Sequence, residues 1–237
     1  MNQDDWYKAW KIHLEKYLES PPRTGIYIYA YLPCIHRSLE IACGSSRDSI
    51  FLAEKGVHAT ASDYEVRLIE DLKKRFSHPN LSYKQADAFC LSFGPDSFDI
   101  VFHNGFFVCF KSNKDILELL AEQARVSSKY IVFFVHNKLN YNLVRTFERL
   151  ARSDPLYDIR FFDPIEVEDI VKSSCINLRS VKILKFGGTF DIFYSRRLKK
   201  FTTNIFLSFR CKMIPKLYQY QSWKQTERVA CIIELNK

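Results

Sequence analysis

The sequence predicts an α/β fold in which a mostly parallel sheet of seven strands carries helices on both faces. Short apolar runs alternate with helical patterns from residue 38 onward. The segment Ser38–Ser49 has the pattern of a strand, a turn of small residues and the start of a helix, and the next apolar strand ends at Asp63. The last apolar run, Val229–Leu235, follows a long excursion, which favours an antiparallel final strand.

The individual elements follow from periodicity and from helix-ending residues. Pro21-Pro22 ends the first helical pattern, Asp163-Pro164-Ile165-Glu166 is a capping box that opens the last one, and Gly187-Gly188 is predicted to end the sixth strand. The predicted helices cover residues 4–18, 27–31 (a helix or a lid), 47–54, 65–76, 115–125, 142–152 and 163–173. The predicted strands cover residues 38–42, 58–62, 81–85, 98–103, 130–135, 178–186 and 229–235.

A chain of 237 residues, 47% hydrophobic and 15% aromatic, is long and apolar enough to form one domain with an ample core. We expect a helical cap at 1–36, a ligand-binding core at 37–190, a basic aromatic insert at 191–227 and a last strand at 228–237. The acidic start of the chain and the lack of an apolar run of about 20 residues predict a cytoplasmic protein.

The net charge of +8 is concentrated in one part of the chain. Residues 196–228 contain nine basic residues and one acidic residue, so they hold the whole excess. Aromatic residues are mixed with these bases. We expect a lid or cover for the sheet; a surface for a phosphate-bearing glycan or lipid, for a membrane or for RNA is the alternative.

The seven cysteines are odd in number and never form a C-x-x-C pair, which makes a zinc site improbable. Several of them fall inside apolar patterns. Buried free thiols are the simplest interpretation, and we therefore expect no metal centre.

The turn after the first strand indicates the kind of ligand. A dinucleotide pyrophosphate requires three glycines at the helix N-terminus, whereas the turn Ala42-Cys43-Gly44-Ser45-Ser46 has one. The acidic residues Glu40 and Asp63 flank this turn. Such a site suits a ligand that carries a positive charge and a ribose diol and that has no phosphate. S-adenosylmethionine has these features.

These residues resemble the class I S-adenosylmethionine-dependent methyltransferases, whose fold is Rossmann-like. SLEIACGSSRDSIFLAEKG is similar to their first motif, ATASDYEVRLIEDLKKRF to their second strand and helix, and QADAFCLSFGPDSFDIVFHNGFFVCF to their adenine loop and fourth strand. The resemblance covers about 38–186. It implies that the cofactor binds to Glu40, to the backbone of Ala42, Cys43, Gly44 and Ser45, and to the start of the helix at Asp48. Ala42 and Ser46 stand where the family more often has glycine.

The second half of the predicted cofactor site follows the second and third strands. A carboxylate at Asp63 can accept two hydrogen bonds from vicinal ribose hydroxyls, although it could instead cap the next helix. Tyr64 could pack on adenine. By resemblance, Asp87 faces the adenine amine and Ala88 supplies a backbone contact, while the alternative for Asp87 is an ordinary loop residue.

Two histidines end adjacent predicted strands. His103 and His136 are each followed by asparagine, so both rings are expected near the acceptor, with His103 also near the cofactor. Either could be a general base at neutral pH, and either could be structural. A metal site made by the two lacks a carboxylate partner in the sequence.

The sequence therefore predicts a methyltransferase that uses S-adenosylmethionine and methylates oxygen or nitrogen of a small-molecule or sugar-like acceptor. An RNA methyltransferase that uses the basic insert, and a non-catalytic scaffold with this fold, are the alternatives. Nucleic acid is not the favoured partner, and peripheral membrane contact through the insert remains open. Neither the acceptor nor the oligomeric state follows from the sequence.

Overall fold

A computed structural model describes residues 3–32, 34–194 and 213–237 of the chain. Its helices and strands alternate as the sequence predicts. In chain order they are α1 (Gln3–Leu18), α2 (Arg23–Tyr31), β1 (Arg37–Glu40), α3 (Arg47–Glu54), β2 (His58–Asp63), α4 (Val66–Arg75), β3 (Leu81–Gln85), β4 (Phe98–Asn104), α5 (Asn113–Val126), β5 (Ser127–His136), α6 (Tyr141–Leu150), α7 (Pro164–Lys172), β6 (Leu178–Gly188) and β7 (Thr226–Leu235).

The strands form one sheet in the order β3-β2-β1-β4-β5-β7-β6. Neighbours from β3 to β5 are parallel, and β7 is antiparallel to both β5 and β6. The predicted sheet with an antiparallel last strand is therefore confirmed. The strand order reverses between β1 and β4, and in open α/β sheets ligands bind at the carboxyl ends of the strands beside such a reversal.

Helices cover the two faces of the sheet over separate apolar cores. One face packs against α2, α3 and α4, with buried side chains such as Tyr27, Phe102 and Phe134. The other packs against α5 and α7, with Phe133 and Phe162 at its centre. Alternating residues of β5 serve the two cores because successive side chains of a strand point to opposite faces.

The capping box that the sequence predicts for α7 is present. The Asp163 carboxylate accepts the Ile165 N–H at 2.9 Å, and the Glu166 carboxylate accepts the Asp163 N–H at 3.2 Å. The two bonds satisfy backbone donors that a helix start leaves open.

Three expectations need correction. Gly187-Gly188 does not end the sixth strand, because β6 runs through both glycines and Gly188 still pairs with Thr226. β5 and β7 each begin three residues earlier than predicted. The cysteines are free but not generally buried, since only Cys43 and Cys231 of the six in the described part are buried.

About half of the predicted basic insert, residues 195–212, lies outside the described residues. The part that follows includes a short helix over 213–217. Within this part, Ile214 and Tyr218 are buried and pack against Phe186 and neighbouring core residues. This end of the insert therefore covers the sheet. In the described ranges, no helix combines the length and the hydropathy that crossing a membrane requires.

Candidate active site

The turn between β1 and α3 has an unusual backbone. Ala42, Gly44 and Ser46 all have positive φ, at +49°, +52° and +50°. This left-handed conformation costs a residue with a Cβ about 1–2 kcal/mol relative to glycine. Ala42 and Ser46, where the family more often has glycine, thus adopt a backbone conformation that favours glycine. The turn forms although neither of these two residues is glycine. The Ser46 N–H closes the turn on the Cys43 carbonyl at 2.8 Å.

We expect Ala42→Gly to stabilise the protein by about 0.5–1 kcal/mol. It removes the left-handed penalty, and the greater entropy of glycine in the unfolded chain offsets part of the gain. Urea unfolding measures the change. Ala121→Gly, at an exposed position of α5, is the matched control and should destabilise by about 1 kcal/mol. A loss of stability in Ala42→Gly would contradict the strain at this turn.

Asp63 joins the turn to the end of β2. One carboxylate oxygen accepts the Gly44 N–H at 3.1 Å and the other accepts the Glu65 N–H at 3.1 Å. Burial raises the pKa of this carboxyl despite these backbone donors. The backbone of Tyr64 also donates to this carboxylate. The two oxygens together offer about four acceptor positions, so acceptor capacity remains for a ligand hydroxyl. The side chain is only partly buried and can present these sites.

Glu40 and Asp48 lie behind the turn. The Glu40 carboxylate accepts from the Ser49 N–H at 3.1 Å and from the Ser49 hydroxyl at 2.5 Å. The Asp48 carboxylate accepts the Gly25 N–H at 2.7 Å and so attaches α2. Burial raises the pKa of Glu40 well above its usual range and that of Asp48 to about 6. In this arrangement both residues position the turn from behind.

The residues predicted to bind adenine lie on an exposed surface beside Asp63. Tyr64 is 54% exposed, and Asp87 is exposed, with its carboxylate bound to the Phe89 N–H at 2.9 Å. Ala88 is half-buried beside the α5 core. Phe89 is 41% exposed and packs edge-to-face on Phe110. This second exposed ring has no signal in the sequence, because one aromatic residue in a loop forms no pattern.

The ring of Trp10 covers the turn. A Cβ built on Gly44 would lie 2.6 Å from Trp10 Cζ2, so only glycine permits this approach. The Trp10 Nε1–H is buried and has no acceptor among the described residues. A buried donor without a partner is costly, and here it points to an acceptor group that a ligand would bring. Trp10 lies on α1, and its ring stacks on that of Tyr17 with 4.9 Å between the ring centroids.

The structure does not bring the two predicted catalytic histidines together. His103 pairs in register with Phe133, and His136 lies three residues further along β5, so the two rings point to opposite faces of the sheet. His103 is fully buried among Phe106, Phe107 and Phe133, and neither ring nitrogen has a hydrogen-bond partner in the described part of the chain.

Burial alone lowers the pKa of His103 to about 3, so its ring stays neutral. In this structure His103 is a buried core residue, which favours the structural alternative over its predicted role at the cofactor and the acceptor. His136 is nine-tenths buried and lies beside Phe147 and Phe161, at the edge where an acceptor would bind. Burial, and next the Arg228 guanidinium, lowers its pKa well below the usual value.

The start of β7 brings charge to the same edge. The Arg228 guanidinium donates to the Asn104 amide oxygen and to Glu227, while Glu227 accepts two bonds from Arg23 at 2.8 and 3.1 Å. Sequence reasoning counted Arg228 with the insert and missed this position, since only the antiparallel pairing of β5 and β7 places it beside His136. Across the described ranges, no three His, Cys, Asp or Glu side chains form a metal-binding group.

Comparisons with known proteins agree with this geometry. Residues 39–129, from β1 to the start of β5, match the family model of a methyltransferase domain. The match covers less than half of the chain and shows a methyltransferase domain over these residues. A search of curated protein sequences found no match.

Solved structures share the fold over nearly the whole chain. A S-adenosylmethionine-dependent methyltransferase from Thermotoga maritima, described as a possible histamine N-methyltransferase, has a TM-score of 0.64 at 15% identity, over 97% of this chain and 100% of its own. One from Archaeoglobus fulgidus has a TM-score of 0.64 at 18% identity, over 95% and 99%. The magnesium protoporphyrin IX methyltransferase of Synechocystis, with bound SAH, has a TM-score of 0.57 at 10% identity, over 100% and 89%.

The resemblance found in the sequence is thereby confirmed for the methyltransferase fold, and S-adenosylmethionine is the cofactor that the descriptions of the Thermotoga and Archaeoglobus proteins name. The residues present fit that molecule. The Trp10 N–H without a partner among the described residues lies beside the Gly44 turn, where an amino-acid carboxylate would bind, and Asp63 keeps acceptor capacity for a ribose hydroxyl.

Proposed function

We propose that this methyltransferase transfers a methyl group to oxygen or nitrogen of a small-molecule acceptor, with the cofactor held along the carboxyl ends of β1, β2 and β3. The observation that carries the proposal is the bond from the Gly44 N–H to Asp63. This bond supports the proposal because it joins the turn proposed to bind the amino-acid part to the carboxylate proposed to bind the ribose. The bound cofactor supplies an electrophilic methyl group on a sulfonium sulfur.

The residues have separate roles in this proposal. The Gly44 turn and Trp10 bind the amino-acid part, and Asp63 binds the ribose hydroxyls. Tyr64 and Asp87 bind the adenine on the exposed surface beside Asp63. Glu40 and Asp48 hold the turn from behind. His136 lines the acceptor side with a Nδ1 that is buried and has no partner among the described residues. Rate acceleration then comes mainly from holding the acceptor and the methyl group close and in line.

We expect Asp63→Ala to weaken S-adenosylmethionine binding by about 5- to 150-fold. The loss of bonds to a charged acceptor costs about 1–3 kcal/mol. Calorimetric titration with S-adenosylmethionine and S-adenosylhomocysteine measures it. Glu70→Ala, which removes an exposed carboxylate from α4, is the control and should bind like the wild type. Unchanged affinity in Asp63→Ala would reject the site, and no binding by the wild type would support the scaffold alternative.

A further inference from the structure

A histidine–carboxylate pair lies near the proposed acceptor side of the site. His13 Nε2 lies 2.7 Å from Asp154 Oδ2, and the two side chains are 20% and 24% exposed. An ionised carboxylate only accepts, so Nε2 carries the proton and Nδ1 keeps a free lone pair in the neutral ring. Asp154 is itself fixed, because its other oxygen accepts the Leu156 N–H at 3.0 Å.

The pair is close to the cofactor turn. Trp10, which touches Gly44, lies three residues before His13 on α1. Residues at this spacing share a helix face, with about 5–6 Å between their Cβ atoms. His13 therefore lies about one helical turn from the position proposed for the amino-acid part of the cofactor.

Aromatic rings surround the pair. Tyr17 and Tyr157 lie 6.3 and 6.2 Å from the His13 ring, and Phe147 lies 5.1 Å from Tyr157 and 4.9 Å from His136. No residue of α6 is buried, so its apolar side, including Phe147, is only partly covered. The α6 helix therefore offers partly exposed apolar surface beside a group of rings, on which a planar molecule can pack.

The charged groups around the pair come from three elements. Tyr17 faces them from α1, Asp154 and Tyr157 from the 3-10 helix region at Pro155–Tyr157, and Glu227 and Arg228 from β7. Burial and the neighbouring Tyr157 raise the pKa of Tyr17, so its hydroxyl stays neutral. Among the described residues around this pair, His13 has both a ring nitrogen without a hydrogen-bond partner and a carboxylate partner that is held in place.

We propose that His13, positioned by Asp154, is the proton acceptor in methyl transfer, and that the acceptor is an aromatic compound with a hydroxyl or an amine. The proposal rests on the proposed function. The lone pair of the acceptor oxygen or nitrogen forms the bond to the methyl carbon while the C–S bond breaks and leaves its electron pair on sulfur. The acceptor proton goes to His13 Nδ1 and then to water, so atoms and charge balance.

Kinetics with tyramine, histamine and catechol as aromatic probes, and ethanolamine as the non-aromatic probe, test this. We expect methylation of at least one aromatic probe and none of ethanolamine. His13→Ala should lower kcat by about 10²–10⁴-fold, and imidazole in solution should restore part of the rate. Asp154→Asn should lower kcat with little change in KM and alter the pH–rate profile, and Asp154→Glu should recover activity. His58→Ala, at an exposed position that starts β2, is the matched control.

Two further readouts do not depend on turnover. Long-range ¹H–¹⁵N spectra of the imidazole should show the proton on Nε2 in the wild type and a mixture in Asp154→Asn. Calorimetry should show that His13→Ala binds S-adenosylmethionine like the wild type. A wild type that binds no S-adenosylmethionine removes the proposed function and this proposal with it. Normal cofactor binding together with full kcat in His13→Ala, a proton on Nδ1, or no aromatic probe methylated removes this proposal alone.

Discussion

Arg23→Met is expected to destabilise the protein by about 2–4 kcal/mol. The Arg23 guanidinium donates to both oxygens of Glu227 and to Asp191, and these three side chains are each about three-quarters buried. Methionine keeps an apolar side chain at this position, but it removes the guanidinium that lies over Phe186 and leaves two carboxylates without this cation. Removing one partner of a buried ion pair costs several kcal/mol, and the remaining exposure reduces the upper end.

The destabilisation should depend on pH. Burial acts to raise the pKa of Glu227, but the Arg23 and Arg228 guanidiniums outweigh it, so the pKa lies well below the usual range. A carboxyl whose pKa is lower in the folded state stabilises the protein above its unfolded pKa of about 4.3 and loses this contribution as the pH falls below that value. The stability gap between wild type and Arg23→Met should therefore be full at neutral pH and shrink in acid.

Urea unfolding between neutral pH and about pH 3.5 measures both effects. The control is Lys111→Met, which breaks an ion pair with Asp158 in which both side chains are mostly exposed, and it should change stability by less than about 1 kcal/mol. An Arg23→Met variant as stable as the wild type, or a gap that widens in acid, would show that this cluster does not hold α2 on β7.

The order of strands and helices was predictable because it depends on local periodicity and on helix-ending residues. The helix at residues 47–54 and the strand at 81–85 were predicted to the residue, since small or turn-forming residues bound both. Strand ends were less accurate. β5 extends back to Ser127 because the pairing of Phe98 with Ser127, rather than an apolar residue, sets its start.

The cofactor half of the candidate site was predictable for a related reason. The Gly44 turn and Asp63 belong to one βαβ unit, so a short stretch of sequence contains the contacts that join them. The acceptor half was not. His13 and Asp154 are 141 residues apart, and Asn104 and Arg228 are 124 apart. No local pattern relates such pairs, and a strand-end position did not reveal that His103 faces the α5 core.

Gly188→Ala is expected to destabilise the protein by at least about 3 kcal/mol. A Cβ at this position would lie 2.2 Å from the Gln225 carbonyl oxygen and 2.9 Å from the Gln221 side chain, and φ is +127°. The Gln225 carbonyl oxygen belongs to the backbone immediately before β7, so it cannot rotate away as the end of a side chain could. A conformation open essentially to glycine costs about 1–3 kcal/mol, and overpacking adds a similar amount.

The bonds around Gly188 explain why the chain cannot simply relax. Its N–H donates to Asp191 at 2.8 Å, and the Gln221 amide donates to the Gly187 carbonyl at 2.6 Å. A shift of β6 large enough to admit a methyl group would therefore disturb Asp191, which also binds Arg23. The loss of stability should accordingly be partly shared with Arg23→Met, and the double variant should lose less than the two single losses combined.

Gly56→Ala separates the two causes of this loss. Gly56 also has a positive φ, of +87°, but a Cβ there would meet no atom within 4 Å. It should therefore cost only the conformational penalty, about 1–2 kcal/mol, in the same unfolding experiment. If Gly188→Ala cost no more than Gly56→Ala, the close approach of the β6 end to the Gln225 carbonyl would carry no energetic weight, and backbone conformation alone would explain the glycine.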